Sequence, residues 1–137
     1  MIGRQPARRA TAAPADLRVR LECTRLDTLA LLRALDHERL APRDLPHAAL
    51  ADLAALDADC AEALWALDQP VGALNIHAMV QDTCASLDRL PDIRAQVRAS
   101  VPPHASARLE RLEPMIRATL DPREAYADVP GRDPQNR

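Results

Sequence analysis

The chain has 137 residues and a net charge of −2, and it is rich in Ala (27) and Leu (20), with 18 Arg but no Lys. Its three glycines, Gly3, Gly72 and Gly131, lie far apart, which excludes the glycine-rich loops of P-loop and dinucleotide-binding folds. With one Trp and one Tyr, it also lacks the aromatic surface on which single-stranded nucleic acids stack. Because the strand-favouring Val and Ile total only ten residues, the composition predicts an all-α protein.

A flexible, arginine-rich arm is predicted for residues 1–13, which show no hydrophobic periodicity. A long amphipathic helix is predicted from Asp16 to about Leu40, and Pro42 ends it. Apolar residues recur there at alternating steps of four and three, which is typical of a helix with a buried face. The main stripe consists of Leu17, Leu21, Thr24, Thr28, Leu31 and Leu35, and a second stripe beside it of Val19, Cys23, Leu26 and Ala30.

A second helix is predicted from Asp44, as its N-cap, to about Asp68, with Pro46 tolerated in the first turn. Its apolar residues follow the same alternation of four and three that is typical of coiled coils. They are Ala49, Leu53, Leu56, Cys60, Ala63 and Leu67. The short connection between the first two helices favours an antiparallel hairpin.

The remaining helices are separated by prolines. A third helix is predicted to end at Pro91, and a short fourth helix starts at Asp92 and ends before Pro102. The third helix presents Ala73, Ile76, Val80, Thr83, Leu87 and Leu90, and the fourth presents Ile93, Val97 and Val101. The last helix has Ser106 as its expected cap, and Pro114 is predicted to kink or split it.

These elements predict one domain over residues 14–120, an antiparallel helical hairpin or bundle of three long helices with one or two short helices against it. A chain of this length buries enough apolar surface to fold without a metal or a disulfide. Residues 121–137 are polar and rich in Pro, and they predict a disordered tail.

The cysteine count and the N-terminal composition predict a cytoplasmic protein. Cys23, Cys60 and Cys84 are an odd number at long spacings, which indicates a reducing compartment. No apolar run is long enough for a signal peptide or a membrane span. An acid-poor, arginine-bearing start is also compatible with an organellar transit peptide, although serine is absent from it.

The charges are distributed unevenly along the chain. Residues 1–43 carry a net charge of +4 and residues 89–137 carry +2, whereas residues 44–88 contain eight acids and no base. One explanation is that acidic helices pack beside basic helices within the same bundle. The other is that the acidic segment is a docking face for a basic partner.

No group of residues has the pattern of an active site. The three cysteines are expected to pack in the core as small apolar groups, and their spacing does not match a metal site. The four histidines form no zinc or hydrolase motif. Acid pairs such as Asp57 with Asp59, or Asp82 with Asp88, lie off the apolar stripes and are expected to be solvated. We therefore expect no cofactor, no bound metal and no enzymatic activity.

Nucleic-acid binding is an alternative hypothesis that depends on arginines at two places. Arg4, Arg8 and Arg9 lie on the arm, where they are suited to contact phosphates. Arg94 and Arg98 lie one turn apart on the short helix that follows Pro91, as on a recognition helix. The acidic centre of the chain and its isoelectric point of about 6.1 argue against this hypothesis, because DNA-binding domains of this size are usually basic.

An apolar face of the last helix is the leading candidate for partner binding. Leu109, Leu112, Ile116 and Leu120 form this face, which either closes the bundle or docks into the groove of a partner. Trp65 lies off the apolar stripe of the second helix, so it either covers one side of the bundle or anchors a contact.

The stretch LLRALDHERLA, from Leu31 to Ala41, is followed by Leu50 and Leu53 and then by a long helix. Within this stretch, leucines precede a Glu-Arg pair, at Leu32, Leu35, Glu38 and Arg39. This pattern resembles the N-terminal helical hairpin of flagellar type III export chaperones of the FlgN-like kind. The resemblance implies a small, cytosolic, helical and non-catalytic protein, in which the helix from Ser106 to Leu120 is nearest to the substrate-binding helix of that family.

The sequence therefore predicts a non-enzymatic helical interaction protein, a chaperone or adaptor that presents an apolar helix face and an acidic surface to a protein partner. A homodimer that covers the wide apolar face of the first helix is compatible with the same pattern, and no membrane contact is expected. A small DNA-binding regulator is the alternative, and an enzyme that uses a metal or a reactive thiol is the third hypothesis.

Overall fold

The structure, a computed structural model, describes residues 14–69 and 76–129. Within these ranges it contains helices and no strands, so the all-α prediction is confirmed. The α-helices are α1 (Pro14–Glu38), α2 (His47–Leu67), α3 (Ile76–Leu87), α4 (Leu90–Ser100) and α5 (Pro103–Thr119), and the 3₁₀ helices are Pro42–Asp44 and Pro122–Tyr126. No described helix combines the length and the apolarity that crossing a bilayer requires. The arm predicted for residues 1–13 lies outside the described residues.

α1 and α2 run antiparallel, as ion pairs at their two ends show. Near the start of α1, Arg18 contacts Asp68, which directly follows α2, at 2.9 Å. Two turns further along α1, Arg25 contacts Asp57 at 3.0 Å, nearer the start of α2. The partner number falls as the α1 number rises, so the short connection between the helices produces the expected hairpin.

α5 packs on another side of α1 and also runs antiparallel to it. Glu38 at the end of α1 contacts Arg108 at 2.9 Å, and Asp27 contacts Arg117 at 2.8 Å. The buried core consists mainly of Leu, Ala and Val side chains from all five α-helices, with Leu21, Leu31, Leu53, Leu64 and Leu109 among its largest fully buried members. The burial of these apolar side chains is the dominant contribution to the stability of the fold.

The two predicted stripes of α1 differ in their burial. Five of the six residues of the main stripe are buried, and Leu17 is half-buried. In the second stripe Leu26 and Ala30 pack against Leu120. Val19 and Cys23, however, are exposed, so core packing was the wrong expectation for them. The reason is geometric, because the antiparallel α5 ends beside Asp27 and does not extend along the first turns of α1.

α2 begins at His47, three residues later than the predicted cap at Asp44. Asp44 belongs instead to a 3₁₀ turn, in which its amide donates to the carbonyl of Ala41 at 2.8 Å. Leu45 is extended, with φ −79° and ψ 137°. A residue that precedes a proline avoids the helical region, so Leu45 separates this turn from α2.

The other prolines mark helix starts more often than helix ends. Pro91 and Pro103 occupy the first turns of α4 and α5, where a missing amide proton has no cost. α5 therefore starts before Ser106, which is not its cap. Pro114 lies inside α5, and it does not split the helix, which is continuous from Pro103 to Thr119.

The predicted disordered tail is wrong for residues 121–129. Asp121 and Glu124 form a reciprocal capping box around the second 3₁₀ helix, and Ala125 and Val129 are buried. A polar and proline-rich composition hides these few buried side chains, which are ordered by tertiary contacts with α1 and α2. Residues 130–137 lie outside the described residues.

Candidate interaction surface

The predicted partner-binding face of α5 is part of the core. Leu109 and Leu120 are buried, and Leu112 and Ile116 are half-buried against the same clusters. Ion pairs from α5 to Glu38 and Asp27 hold this side of the helix against α1. The expectation of a free apolar face on α5 is thereby corrected, because α1 already covers it.

Arg94 and Arg98 point towards α5 and not outwards from a recognition helix. They contact the two carboxylate oxygens of Glu113 at 2.6 and 2.9 Å. Glu113 is 2% exposed, and a buried carboxylate needs such paired charges and hydrogen bonds. These two arginines therefore fasten α4 to α5, and Arg4, Arg8 and Arg9 lie outside the described residues.

Arg25 is a buried arginine that joins three elements. Its guanidinium makes a bidentate contact with Asp57, with both N···O distances at 3.0 Å. The remaining terminal nitrogen donates to the carbonyl oxygens of Ala125 and Ala127, at 2.9 and 2.8 Å. These charge-assisted bonds satisfy the buried charge and hold the C-terminal 3₁₀ helix against α1 and α2.

Tyr126 adds a second polar contact between α1 and the same 3₁₀ helix. Its hydroxyl donates to Glu22 and accepts a hydrogen bond from Arg18 at 3.2 Å. Arg33 further along α1 contacts Glu124 at 2.7 Å. The residues from Asp121 to Val129 are therefore held along the length of α1, and they form one wall of a surface groove.

This groove, which we call the Trp65 groove, has a volume of about 470 Å³. Ala58, Ala61, Glu62 and Trp65 of α2 line it, together with Arg25, Asp57 and Asp128. Trp65 is 38% exposed. Asp128 has a φ of 70°, a left-handed conformation that aspartate tolerates better than most residues. The lining of the groove thus contains one aromatic ring, three carboxylates and one arginine.

A smaller cavity of about 120 Å³ adjoins the Trp65 groove and shares Arg25, Asp57 and Asp128 with it. Thr28 also lines this cavity, and its side chain is buried. The hydroxyl oxygen of Thr28 has no hydrogen-bond partner among the described residues. Buried hydroxyls are usually satisfied by protein or by water, so the cavity contains an unused polar atom.

The groove continues into the exposed side of α2, which we call the outer face of α2. Ala54, Ala58, Ala61 and Trp65 follow one another along this face at steps of four, three and four, and only Ala61 is half-buried. Glu62 is exposed next to this row, whereas Asp52 and Asp59, which are also exposed, lie further round the helix. This row is a second stripe on α2, separate from the buried stripe that faces the core.

Packing beside basic helices explains only some of the acids in residues 44–88. Asp57, Asp68 and Asp88 pair with arginines of α1, as expected for acidic helices packed beside basic helices. Within the described ranges, the exposed acids Asp52, Asp59 and Glu62 of α2 form no ion pair. This packing therefore accounts for part of the acidic segment and does not account for these three acids.

The cysteines are not arranged as a reactive or metal-binding group. Burial, with a smaller contribution from nearby Asp57, raises the pKa of the Cys60 thiol to about 12, and burial also raises the pKa of Cys84. Both thiols are therefore protonated at neutral pH, and a protonated thiol is a poor nucleophile. In the part of the chain that the structure describes, no three His, Cys, Asp or Glu side chains form a potential metal site.

Comparisons of the chain with protein-family models, with curated proteins and with solved structures found no match. The resemblance of the first hairpin to flagellar export chaperones therefore stays a prediction. Among the residues of the groove, only Trp65 was a sequence candidate for partner binding. Arg25, Glu62 and Asp128 were missed, because they come together only when α1, α2 and the C-terminal segment pack.

Proposed function

We propose that the chain is a non-enzymatic helical interaction module, a chaperone or adaptor, that binds a protein partner through the outer face of α2. The observation that carries this proposal is the exposed row of Ala54, Ala58, Ala61 and Trp65. Small side chains allow the backbone of a second helix to approach closely. Tryptophan is enriched among the residues that contribute most to binding at interfaces.

The charge of this face indicates the chemistry of the partner. Glu62 adjoins the row, and Asp52 and Asp59 lie further round the exposed side of α2; none of the three forms an ion pair with a described residue. An acidic surface steers basic partners towards it and repels acidic ones. We therefore propose that the partner contributes an amphipathic helix with a small apolar side and basic residues beside it, as in helix-in-groove recognition.

The proposal keeps the predicted combination of an apolar helix face with an acidic surface, but it moves the apolar part from α5 to α2. Single exposed apolar residues are normal on protein surfaces and need no explanation. Here the aromatic ring, the row of small residues and Glu62, with which no described residue forms an ion pair, lie together beside a groove. The resemblance of the first hairpin to export chaperones supports the chaperone form of this proposal.

Selection of helical peptides from a displayed random library tests this function. The full chain serves as bait alongside two variants, Ala58→Arg on the outer face of α2 and Ala107→Arg on an exposed position of α5. Ala58→Arg fills the groove and neutralises its acids, whereas Ala107→Arg adds the same side chain elsewhere. We expect the unmodified chain and Ala107→Arg to enrich the same basic peptides and Ala58→Arg to enrich none of them.

The outcome that overturns the proposal is equal enrichment of the same peptides by all three baits, or no enrichment by any of them. Circular dichroism and thermal unfolding verify that both variants keep the fold. Light scattering tests the homodimer. If the chain is a dimer that Ala58→Arg dissociates, a second copy occupies this face, and the proposal of a separate partner is wrong.

A further inference from the structure

We propose that the Trp65 groove is a binding site for an arginine side chain of the partner, whose guanidinium lies against Trp65 and between Glu62 and Asp128. This inference rests on the proposed function and names the group that the outer face of α2 recognises. The charge, the shape and the hydrogen-bonding state of the groove support arginine as this group.

The charges in the groove favour a cation. Asp57 is already engaged, because both of its oxygens accept hydrogen bonds from Arg25. Glu62 and Asp128 also line the groove, and neither forms an ion pair or a side-chain hydrogen bond with any described residue. They come from different elements, α2 and the C-terminal segment. The groove therefore has a net charge of −2 after Arg25 is counted, and the two carboxylates that are unpaired among the described residues can accept hydrogen bonds from an incoming cation.

The aromatic ring selects arginine over lysine. Trp65 is partly exposed and lines the groove next to the acids. A guanidinium is planar, stacks on an indole ring and is less strongly hydrated than an ammonium. It also offers several N–H donors in a fixed fork, so it can donate to two carboxylates at once. The volume of about 470 Å³ falls in the range of about 300–1,000 Å³ that is typical of ligand pockets.

The buried hydroxyl of Thr28 is an independent indication that a polar group enters from the groove. It lines the adjoining cavity, which shares Arg25, Asp57 and Asp128 with the Trp65 groove, and it has no partner among the described residues. A buried hydroxyl without a partner is unfavourable. An arginine in the groove brings N–H donors next to this cavity, whose volume of about 120 Å³ is large enough for water between them and the Thr28 hydroxyl.

The test uses the fluorescence of Trp65, which is the single tryptophan of the chain. The probe is a short peptide of Ala and Leu with one arginine, and its control is the same peptide with citrulline, which has the same shape but no charge. We expect a saturable change in emission with the arginine peptide and about tenfold weaker binding of the citrulline peptide.

Variants of the free carboxylates locate the binding. Glu62→Gln and Asp128→Asn are each expected to weaken the arginine peptide about two- to fivefold. Asparagine tolerates the left-handed conformation of Asp128, so the segment keeps its path. Asp82→Asn removes an exposed carboxylate of α3 outside the groove and is the matched control, for which the affinity is expected to be unchanged.

Three results overturn the inference. One is equal binding of the arginine and citrulline peptides, and another is unchanged binding in both groove variants. If the arginine peptide binds only after Arg4, Arg8 and Arg9 are replaced by Gln, the arm of this chain occupies the groove and a partner does not.

Two results separate arginine recognition in the Trp65 groove from partner binding by the outer face of α2. If Ala58→Arg abolishes peptide selection while citrulline replaces arginine without loss, the outer face of α2 binds a partner but the groove does not recognise arginine. If Ala58→Arg has no effect on selection, the proposed function itself is wrong.

Discussion

α2 and α5 are both amphipathic, yet they use their surfaces differently. The stripe of α5 packs against α1, and its charged residues Arg108, Glu113 and Arg117 form ion pairs within the chain. α2 also buries one stripe, but it retains a second row of small residues with Trp65 on its exposed side. An apolar period therefore shows that a helix has a face to bury, whereas the burial of each residue and its ion pairs show which face is covered within the chain.

The largest expected effect concerns the stripe of α5. Leu109→Ala removes a fully buried side chain and is expected to lower the free energy of unfolding by about 3–5 kcal/mol. Chemical denaturation measures this loss. Ala107→Leu, at an exposed position of the same helix, is the control and is expected to change stability by less than about 0.5 kcal/mol. A similarly small effect of Leu109→Ala would show that α5 is not part of the core.

The next effect concerns the buried link between α2 and the C-terminal segment. Arg25→Met leaves Asp57 and two carbonyl groups without their donor. We expect a loss of about 2–3 kcal/mol, less than for a fully buried pair because Asp57 remains partly hydrated. Hydrogen exchange should show faster exchange of the amides of Ala125 to Val129. Unchanged protection there would mean that Arg25 does not hold this segment.

The buried stripe of α2 makes a prediction about pH. The pKa of Cys60 is raised from 9.0 to about 12 by burial, so folding favours its protonated form. The resulting contribution to stability is fully present below pH 9.0 and is lost as the pH rises towards 12. Unfolding measured across this range should show a decline that Cys60→Ala reduces. A thiol reagent at neutral pH should modify exposed Cys23 much faster than Cys60.

The smallest effect on stability is expected on the outer face of α2, where binding should change most. Ala58→Arg is expected to alter the free energy of unfolding by less than about 1 kcal/mol, because its position is exposed. Trp65→Ala removes a ring that is only 38% exposed, so it is expected to cost about 1–2 kcal/mol. Both substitutions should abolish the selection of basic peptides. A large loss of stability in Ala58→Arg would mean that this face is covered within the chain.

Much of the fold follows from the sequence because helix periodicity and proline positions are local signals. The buried row from Ala49 to Ala63 and the boundary at Pro91 were predictable within a few residues in this way. The order of residues 121–129 was not, because it depends on Arg25, whose partners are about a hundred positions away in the sequence. Composition gives no information about such distant contacts.

The site was less predictable than the fold for a related reason. Trp65 was a candidate because it lies off the buried stripe of α2, and the spacing of Ala54, Ala58 and Ala61 before it is a further signal in the sequence. Small residues contribute little to hydrophobic periodicity, so this row is hidden beneath the stronger leucine stripe. Asp128 and Glu62 line the same groove only because the C-terminal segment packs against α1 and α2, which local sequence patterns do not reveal.

The most direct test of binding through the outer face of α2 is NMR of the chain with labelled alanine methyl groups, since exposed alanines lie on both α2 and α5. A basic peptide from the library selection is added to the full chain. If the peptide binds to the outer face of α2, the methyl resonances of Ala54, Ala58 and Ala61 shift, while those of exposed Ala107 and Ala118 on α5 stay in place. Shifts confined to Ala107 and Ala118 would contradict binding at this face.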